Sequence, residues 1–312
     1  MKDTPVDGAR SKPIMLHQNI FKGFILVLVG LFLFACMDAT TKYLTAHHNV
    51  PFVVAMRYII QCSIMFVILA PRHSSYLLHT QRTGLVVVRS LALCCASLFV
   101  GLALQRMPVA ETTAITFLAP MFVVLLSPLL GEKINAVGWI AALMGFVGVL
   151  LIARPGGGLD LAGIIFALLA VCANTIYQIL SRVLASTEKA ITLLFYTAFI
   201  GSICFGIALP WYWENTRPSN LEIVLFLVVG ISGGLGHYLF TLAYRYAPAS
   251  AISPMLYLQL VWAGLLGWII FDTTPDGLSI LGMIVIAASG LIIALKSNFS
   301  RANKINANTL RE

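Results

Sequence analysis

A chain of 312 residues that is 59% hydrophobic and only 10% charged, with a mean hydropathy of +0.92, is excluded from the soluble globular class, where about a quarter of residues carry charge. A formal net charge of +8 would suggest nucleic acid in a soluble protein. In a chain this apolar it suggests basic loops held at one face of a bilayer, so lipid is the expected surroundings and no nucleic-acid partner is expected.

Residues 1–22 are polar and basic and read as a tail outside the membrane. The apolar run that follows is too long for a signal-peptide core and has no small-x-small cleavage site, so it reads as a retained first span. Apolar runs of about 18 to 25 residues, bounded by proline, glycine and charge, then succeed one another. They lie at 23–45, 52–70, 84–105, 109–130, 136–153, 161–182, 191–210, 221–244, 248–270 and 277–295. Each is able to cross a bilayer as a helix that satisfies its own backbone. Short linkers join them, and the glycine-rich stretch 154–160 marks a flexible midpoint. A polar tail, 296–312, closes the chain. The six cysteines, Cys36, Cys62, Cys94, Cys95, Cys172 and Cys204, all fall inside apolar runs without metal-ligand spacing. They read as small buried apolar residues, and neither a metal nor a cofactor is expected.

Lysine and arginine positions test this map. With the N-terminus inside, the cytoplasmic segments hold Lys2, Arg10, Lys12, Lys22, Arg72, Arg82, Lys133, Arg182, Lys189, Arg245, Lys296, Arg301, Lys304 and Arg311, and the outer loops only Arg106, Arg154 and Arg217. This bias places both termini in the cytoplasm.

The stretch from Pro108 to Glu132, PVAETTAITFLAPMFVVLLSPLLGE, is echoed from Pro248 to Asp272 by PASAISPMLYLQLVWAGLLGWIIFD, 140 residues later at both ends. Leu102-Ala103 and Leu242-Ala243 keep the same offset. Each repeat holds five spans, an odd number, so the second enters the membrane from the opposite face. The fold expected is an all-α membrane protein of ten transmembrane helices in two inverted five-helix repeats. Inverted repeats are the signature of alternating access, with the substrate site near the midplane between the halves.

Charge inside a span costs about 2.5–3.5 kcal/mol at a helix centre on insertion scales, which singles out a few residues. Asp38 and Lys42 share a face of the first span with Thr41 and Thr45. The sixth span repeats the pattern with Gln178, Ser181 and Arg182, after Asn174 and Tyr177 a turn earlier. Two readings stay open: a polar stripe lining a cavity from both halves, or a local ion pair with Lys42 and Arg182 snorkelling to opposite surfaces. Arg57 and Arg89 lie a turn inside the second and third spans, suited either to clamping an anion or to structural pairing. Glu111, at the start of the fourth span, is placed to carry a proton through the cycle, or simply to sit as an anion in a first helical turn. His237 follows the glycine-rich Gly230-Ile-Ser-Gly-Gly-Leu-Gly236, whose glycines read as a helix-packing surface, since no P-loop lysine follows them. In the ninth span Pro254 frees a backbone carbonyl beside Ser253 and Tyr257, with Gln259 and Trp262 on another face. Phe117, Tyr177, Tyr257 and Trp262 suit either stacking on a flat ligand or membrane packing.

Two five-span halves, each with Lys or Arg near the end of its first span, resemble the EamA-type branch of the drug/metabolite transporter superfamily. So does the first-half pattern of Ala110, Pro120, Gly131-Glu132, Trp139, Gly145, Gly148 and Pro155. The second half departs from it: Phe271-Asp272 stands where Gly-Glu is usual, no tryptophan answers Trp139, and Gly290 answers Gly148 after a two-residue insertion. The resemblance implies EamA-like repeats at 23–153 and 161–295 joined by the linker 154–160. It also implies a cavity bordered by spans 1, 3, 4, 6, 8 and 9, with spans 5 and 10 peripheral.

The function expected is an inner-membrane secondary transporter, not an enzyme, moving a small polar organic metabolite, with a homodimer allowed for. A riboflavin uptake carrier and an exporter of amino acids, metabolites or drugs are the alternatives. Substrate contact is assigned to Asp38, Arg57, Asn174, Tyr177, Gln178, His237, Tyr257 and Trp262, and coupling to Glu111. A membrane enzyme would need clustered His, Asp or Cys at a membrane face, whereas His47 and His48 are the only adjacent histidines among His17, His47, His48, His73, His79 and His237. A scaffold would not need charge inside its spans.

Overall fold

The computed structural model describes residues 20–77, 79–126, 136–152, 158–184, 187–213, 218–243, 246, 253–289 and 291–292. Helices occupy them in the order α1 (Ile20–Thr45), α2 (Val50–Leu77), α3 (Thr83–Arg106), α4 (Val109–Thr116), α5 (Ala119–Leu126), α6 (Ala136–Ile152), α7 (Leu161–Leu184), α8 (Ala190–Tyr212) and α9 (Asn220–Ala243). A 3-10 turn, Ser253–Tyr257, then leads into α10 (Leu258–Phe271), and α11 (Gly277–Ser289) follows. No strand occurs among the described residues. The predicted tails (1–19 and 293–312), the Gly131-Glu132-Lys133 turn, 153–157 of the midpoint linker and the side chain of Arg182 lie outside the described residues.

Among the described residues six helices are long and apolar enough to cross a membrane: Phe21–Thr45, Val50–Val67, Thr83–Arg106, Leu161–Ser181, Ala190–Tyr212 and Asn220–Phe240. They fall on the first, second, third, sixth, seventh and eighth predicted spans. The other four predicted spans contain shorter apolar helical stretches, Val109–Val123, Ala142–Ile152, Met255–Phe271 and Gly277–Ser289.

The fourth predicted span is not one continuous helix. α4 closes at Thr116 and α5 opens at Ala119, because Pro120 has no N–H to give to the Thr116 carbonyl. The chain tightens through the gap: the Leu118 N–H donates to the Ile115 carbonyl at 3.0 Å, and the Met121 N–H to the Leu118 carbonyl at 2.9 Å. The ninth span is likewise divided, its 3-10 turn carrying Pro254 before α10 begins.

α1 packs along α9, and α3 packs along α7. Under the 140-residue offset α1 answers α7 and α9 answers α3, so one pairing is the image of the other. α2 against α9 is matched by α8 against α3, and α2 against α8 is its own image. Two bundles result, α1–α2–α9 and α7–α8–α3, each built from both halves of the chain. Glycine lets the helices approach: a Cβ on Gly236 would lie 2.8 Å from Cε1 of Phe34, and one on Gly30 3.3 Å from the Gly236 carbonyl. α6 and α11 cross at Gly148 and Gly282, where a Cβ on Gly282 would stand 2.6 Å from the Gly148 carbonyl.

Each bundle is also tied at its mouth. His48 Nε2 lies 3.1 Å from Glu222 Oε1, joining the α1–α2 link to the first turn of α9. Glu188 Oε1 accepts the backbone N–H groups of Gln81 and Arg82, both at 2.9 Å, joining the α7–α8 link to the approach of α3. Residues 48 and 188, and 82 and 222, are offset equivalents, so one address is tied by different chemistry in each half. All six cysteines are free, and Cys94 is buried. Cys95, Cys172 and Cys204 face outward instead of inward, which costs a small apolar side chain nothing in lipid.

Candidate functional site

A cavity of about 160 Å³ lies between the two bundles, walled by α1, α2, α3, α4, α7, α8 and α9. Its wall contains four offset-equivalent pairs: Val54 with Leu194, Arg57 with Thr197, Leu93 with Gly233, and Ser97 with His237. The cavity therefore sits on the relation that exchanges the halves. Its chemistry is nonetheless asymmetric, since Arg57 faces a threonine and Ser97 a histidine at the equivalent positions.

Arg57 is the cation of this wall. Its Nη2 donates to Ser97 Oγ at 2.6 Å, its Nη1 lies 3.7 Å from the Met37 sulfur, and its guanidinium carbon sits 4.6 Å from the Tyr58 ring centre. Buried Nε has no hydrogen-bond partner. Among the described residues no carboxylate lies within salt-bridge distance of Arg57. Ser97 organises this corner: its hydroxyl donates to the Leu93 carbonyl at 2.8 Å, leaving lone pairs for Arg57 and for Tyr58 Oη, 2.8 Å away. Asp38 is the anion of the same wall. Its Oδ2 accepts one long hydrogen bond, 3.4 Å, from Gln259 Nε2 of α10. Gln61 and Asn174 add amides to the lining, and Thr41, Thr116 and Thr197 add hydroxyls.

Asp38, Arg57, Asn174 and His237 thus meet in one cavity, with the His237 ring also 4.8 Å from that of Phe34. The remaining assigned residues do not line it. Tyr177 is taken by Arg89, whose Nη2 donates to its hydroxyl at 3.0 Å and whose guanidinium lies 4.5 Å from its ring centre. Gln178 is half-buried, away from the cavity. Tyr257 packs its ring on Phe117 at 5.4 Å, and Trp262 meets Phe32 edge-on at 5.1 Å with its buried Nε1 unpartnered. Glu111 is 5% exposed and outside the cavity, with Lys42 and Asp276 the charges that act on it and its Oε2 lacking a hydrogen bond.

Two expectations need correction. Lys42 does not pair with Asp38: its Nζ donates to the carbonyls of Leu104 and Met107, at 2.9 and 2.8 Å, capping the end of α3. A lysine at a helix C-terminus satisfies carbonyls that would otherwise be orphaned. Of the two readings open for Arg89, the bonds match structural pairing: it is a cross-tie, donating to Ser181 Oγ at 2.7 Å, Thr197 Oγ1 at 3.0 Å and the Leu193 carbonyl at 3.2 Å as well as to Tyr177. Among the described residues span 9 does not line the cavity but reaches it through Gln259, whereas α2 and α8, absent from the expected border, form much of its wall. Sequence reasoning missed Ser97, Gln61, Tyr58 and Thr197. The offset that pairs Ser97 with His237 and Arg57 with Thr197 was the signal available for two of them.

The model of the EamA-like transporter family matches residues 21–154 and again 161–295. An uncharacterized transporter of Helicobacter pylori strain J99 is 31% identical over 304 residues, covering 93% of this chain and all of the relative. An S-adenosylmethionine uptake transporter of Rickettsia prowazekii is 26% identical, over 92% of this chain and 97% of the relative. The pseudopaline exporter CntI of Pseudomonas aeruginosa strain PAO1 is 25% identical, over 90% and 98%. A solved crystal structure at 18% identity shares the fold, with a TM-score of 0.62 over 91% of this chain and 99% of that one.

Proposed function

The chain belongs to the EamA-like transporter family, and from that membership we propose a secondary transporter that moves a small polar organic metabolite across a bacterial inner membrane by alternating access. The observation that carries this reading is the cavity with an arginine, an aspartate, amides and hydroxyls in its wall, bounded by helices from both halves. Buried polar groups in a membrane bundle are costly unless something uses them. In this reading the six long helices and four shorter ones make ten spans, in two inverted sets of five, with both termini cytoplasmic. Relatives named for uptake and for export both align over nearly the whole chain, and a two-sided cavity serves either direction. The chain acts here as a carrier and not as a catalyst.

Purified protein reconstituted in vesicles tests the reading. Saturable counterflow of one solute class, among amino acids with S-adenosylmethionine, purines, flavins, carboxylate metallophores and cationic drugs, is expected without ATP. Vesicles that move none of these faster than protein-free controls would overturn it. Glu111, buried and with an unpartnered oxygen, is proposed as the coupling carboxylate. Glu111→Gln is expected to abolish flux driven by a pH gradient while sparing exchange; wild-type behaviour in both assays removes Glu111 from the mechanism.

A further inference from the structure

The cavity wall holds two opposite charges that do not touch. Arg57 and Asp38 both line it, yet no salt bridge joins them. An arginine and an aspartate half-buried together and kept apart are expensive, since each has lost part of its water without gaining the partner that would offset the loss. Their local bonds do not resolve the cost. Arg57 is held by a serine hydroxyl and a thioether, and its inner nitrogen has no acceptor. Asp38 has one stretched amide contact. The two charges come from two helices of one bundle, α1 and α2.

We infer that the site takes a zwitterion of the α-amino-acid type, its carboxylate on the Arg57 guanidinium and its ammonium on the Asp38 carboxylate. This deepens the transporter reading and rests on it. A planar guanidinium matches a carboxylate through paired hydrogen bonds. An ammonium offers three donors, enough for Asp38 and for hydroxyl oxygens such as that of Thr41 on the next turn. The site's two charges cancel, so a simple anion or a simple cation would leave one of them uncompensated, whereas a zwitterion answers both. Asn174 and Thr197, contributed by the other bundle, stand across the cavity, where a side chain leaving the α-carbon would meet them. The α-ammonium and carboxylate are thus assigned to one bundle and the variable part of the ligand to its partner.

The test is a thermal-shift and binding series on the purified full chain in detergent, using the twenty L-amino acids and S-adenosyl-L-methionine. The best binder is then compared with its desamino acid and its decarboxylated amine. The zwitterion is expected to bind at least about tenfold more tightly than either truncated analogue, the scale of one charged hydrogen bond. Arg57→Gln should remove the advantage over the decarboxylated amine, and Asp38→Asn the advantage over the desamino acid. Arg57→Lys, which keeps the charge, should retain part of the first. Melting temperatures of the unliganded variants identify any that fail to fold, and the analogue comparison on the wild-type protein stands without them. Equal binding of the zwitterion and either analogue, or a panel in which only purines, flavins or monofunctional ions bind, overturns the inference while leaving the transporter reading intact. Absence of binding together with absence of flux in vesicles overturns both.

Discussion

Charge was the readable signal at the level of single residues. Asp38, Arg57 and His237 stood out because an ionisable group in an apolar run needs a reason to be there, and all three line the cavity. Ser97, Tyr58 and Thr197 carry no such mark, because a hydroxyl in a membrane helix can return its hydrogen bond to a carbonyl one turn back, as Ser97 does to Leu93. The same blindness hid the division of labour between the arginines. Arg57 and Arg89 lie at similar depths in consecutive spans, but only the neighbours reveal that one is exposed to a cavity and the other is saturated. Arg89 is 4% exposed and spends four hydrogen bonds on α7 and α8. At about 0.6 kcal/mol for an average hydrogen bond inside a membrane protein, Arg89→Ala should cost about 2–3 kcal/mol. That loss should appear as a fall in melting temperature in detergent, with substrate affinity changed less than by Arg57→Gln. An unchanged melting temperature would show that the cross-tie adds no stability.

Among elements, the apolar runs were legible nearly to their ends, because a bilayer permits few alternatives to a helix. What escaped was the interruption of the fourth span. Pro120 was visible, but its effect is felt upstream, at Phe117 and Leu118, where the missing N–H leaves the ladder one bond short. The rotation of α3 and α8 about their axes also escaped, since these helices show little difference between one face and the other. Glycines mark the crossings more reliably than hydrophobicity does. Gly282→Ala, which would set a Cβ 2.6 Å from a backbone carbonyl of α6, should destabilise by about 1–3 kcal/mol. Gly264→Ala, in α10 with nothing within 4 Å, should be neutral or stabilising by up to about 1 kcal/mol. Melting curves of the pair measure the difference; equal effects would show that the α6–α11 crossing yields.

For the whole molecule, the repeat was legible because an offset of 140 survives in both sequence and packing. Which helices would embrace was not, because the offset relates positions without saying which of them touch. The outcome is exchange: α9 lies on α1, and α7 on α3. A fragment ending at residue 153 and one beginning at 161, produced separately, should each be unstable in the membrane, whereas co-expression should restore a complex that purifies as one. Independent stability of either fragment would contradict the exchanged packing. The same arrangement governs the order of biogenesis. α1 leaves the ribosome some 175 residues before the helix that covers it begins at Asn220. Its cavity-facing aspartate must therefore wait in the translocon or in lipid, chaperoned by whatever accepts it, until the last third of the polypeptide arrives. Premature termination anywhere before α9 then leaves an orphaned, charged helix for membrane quality control to recognise.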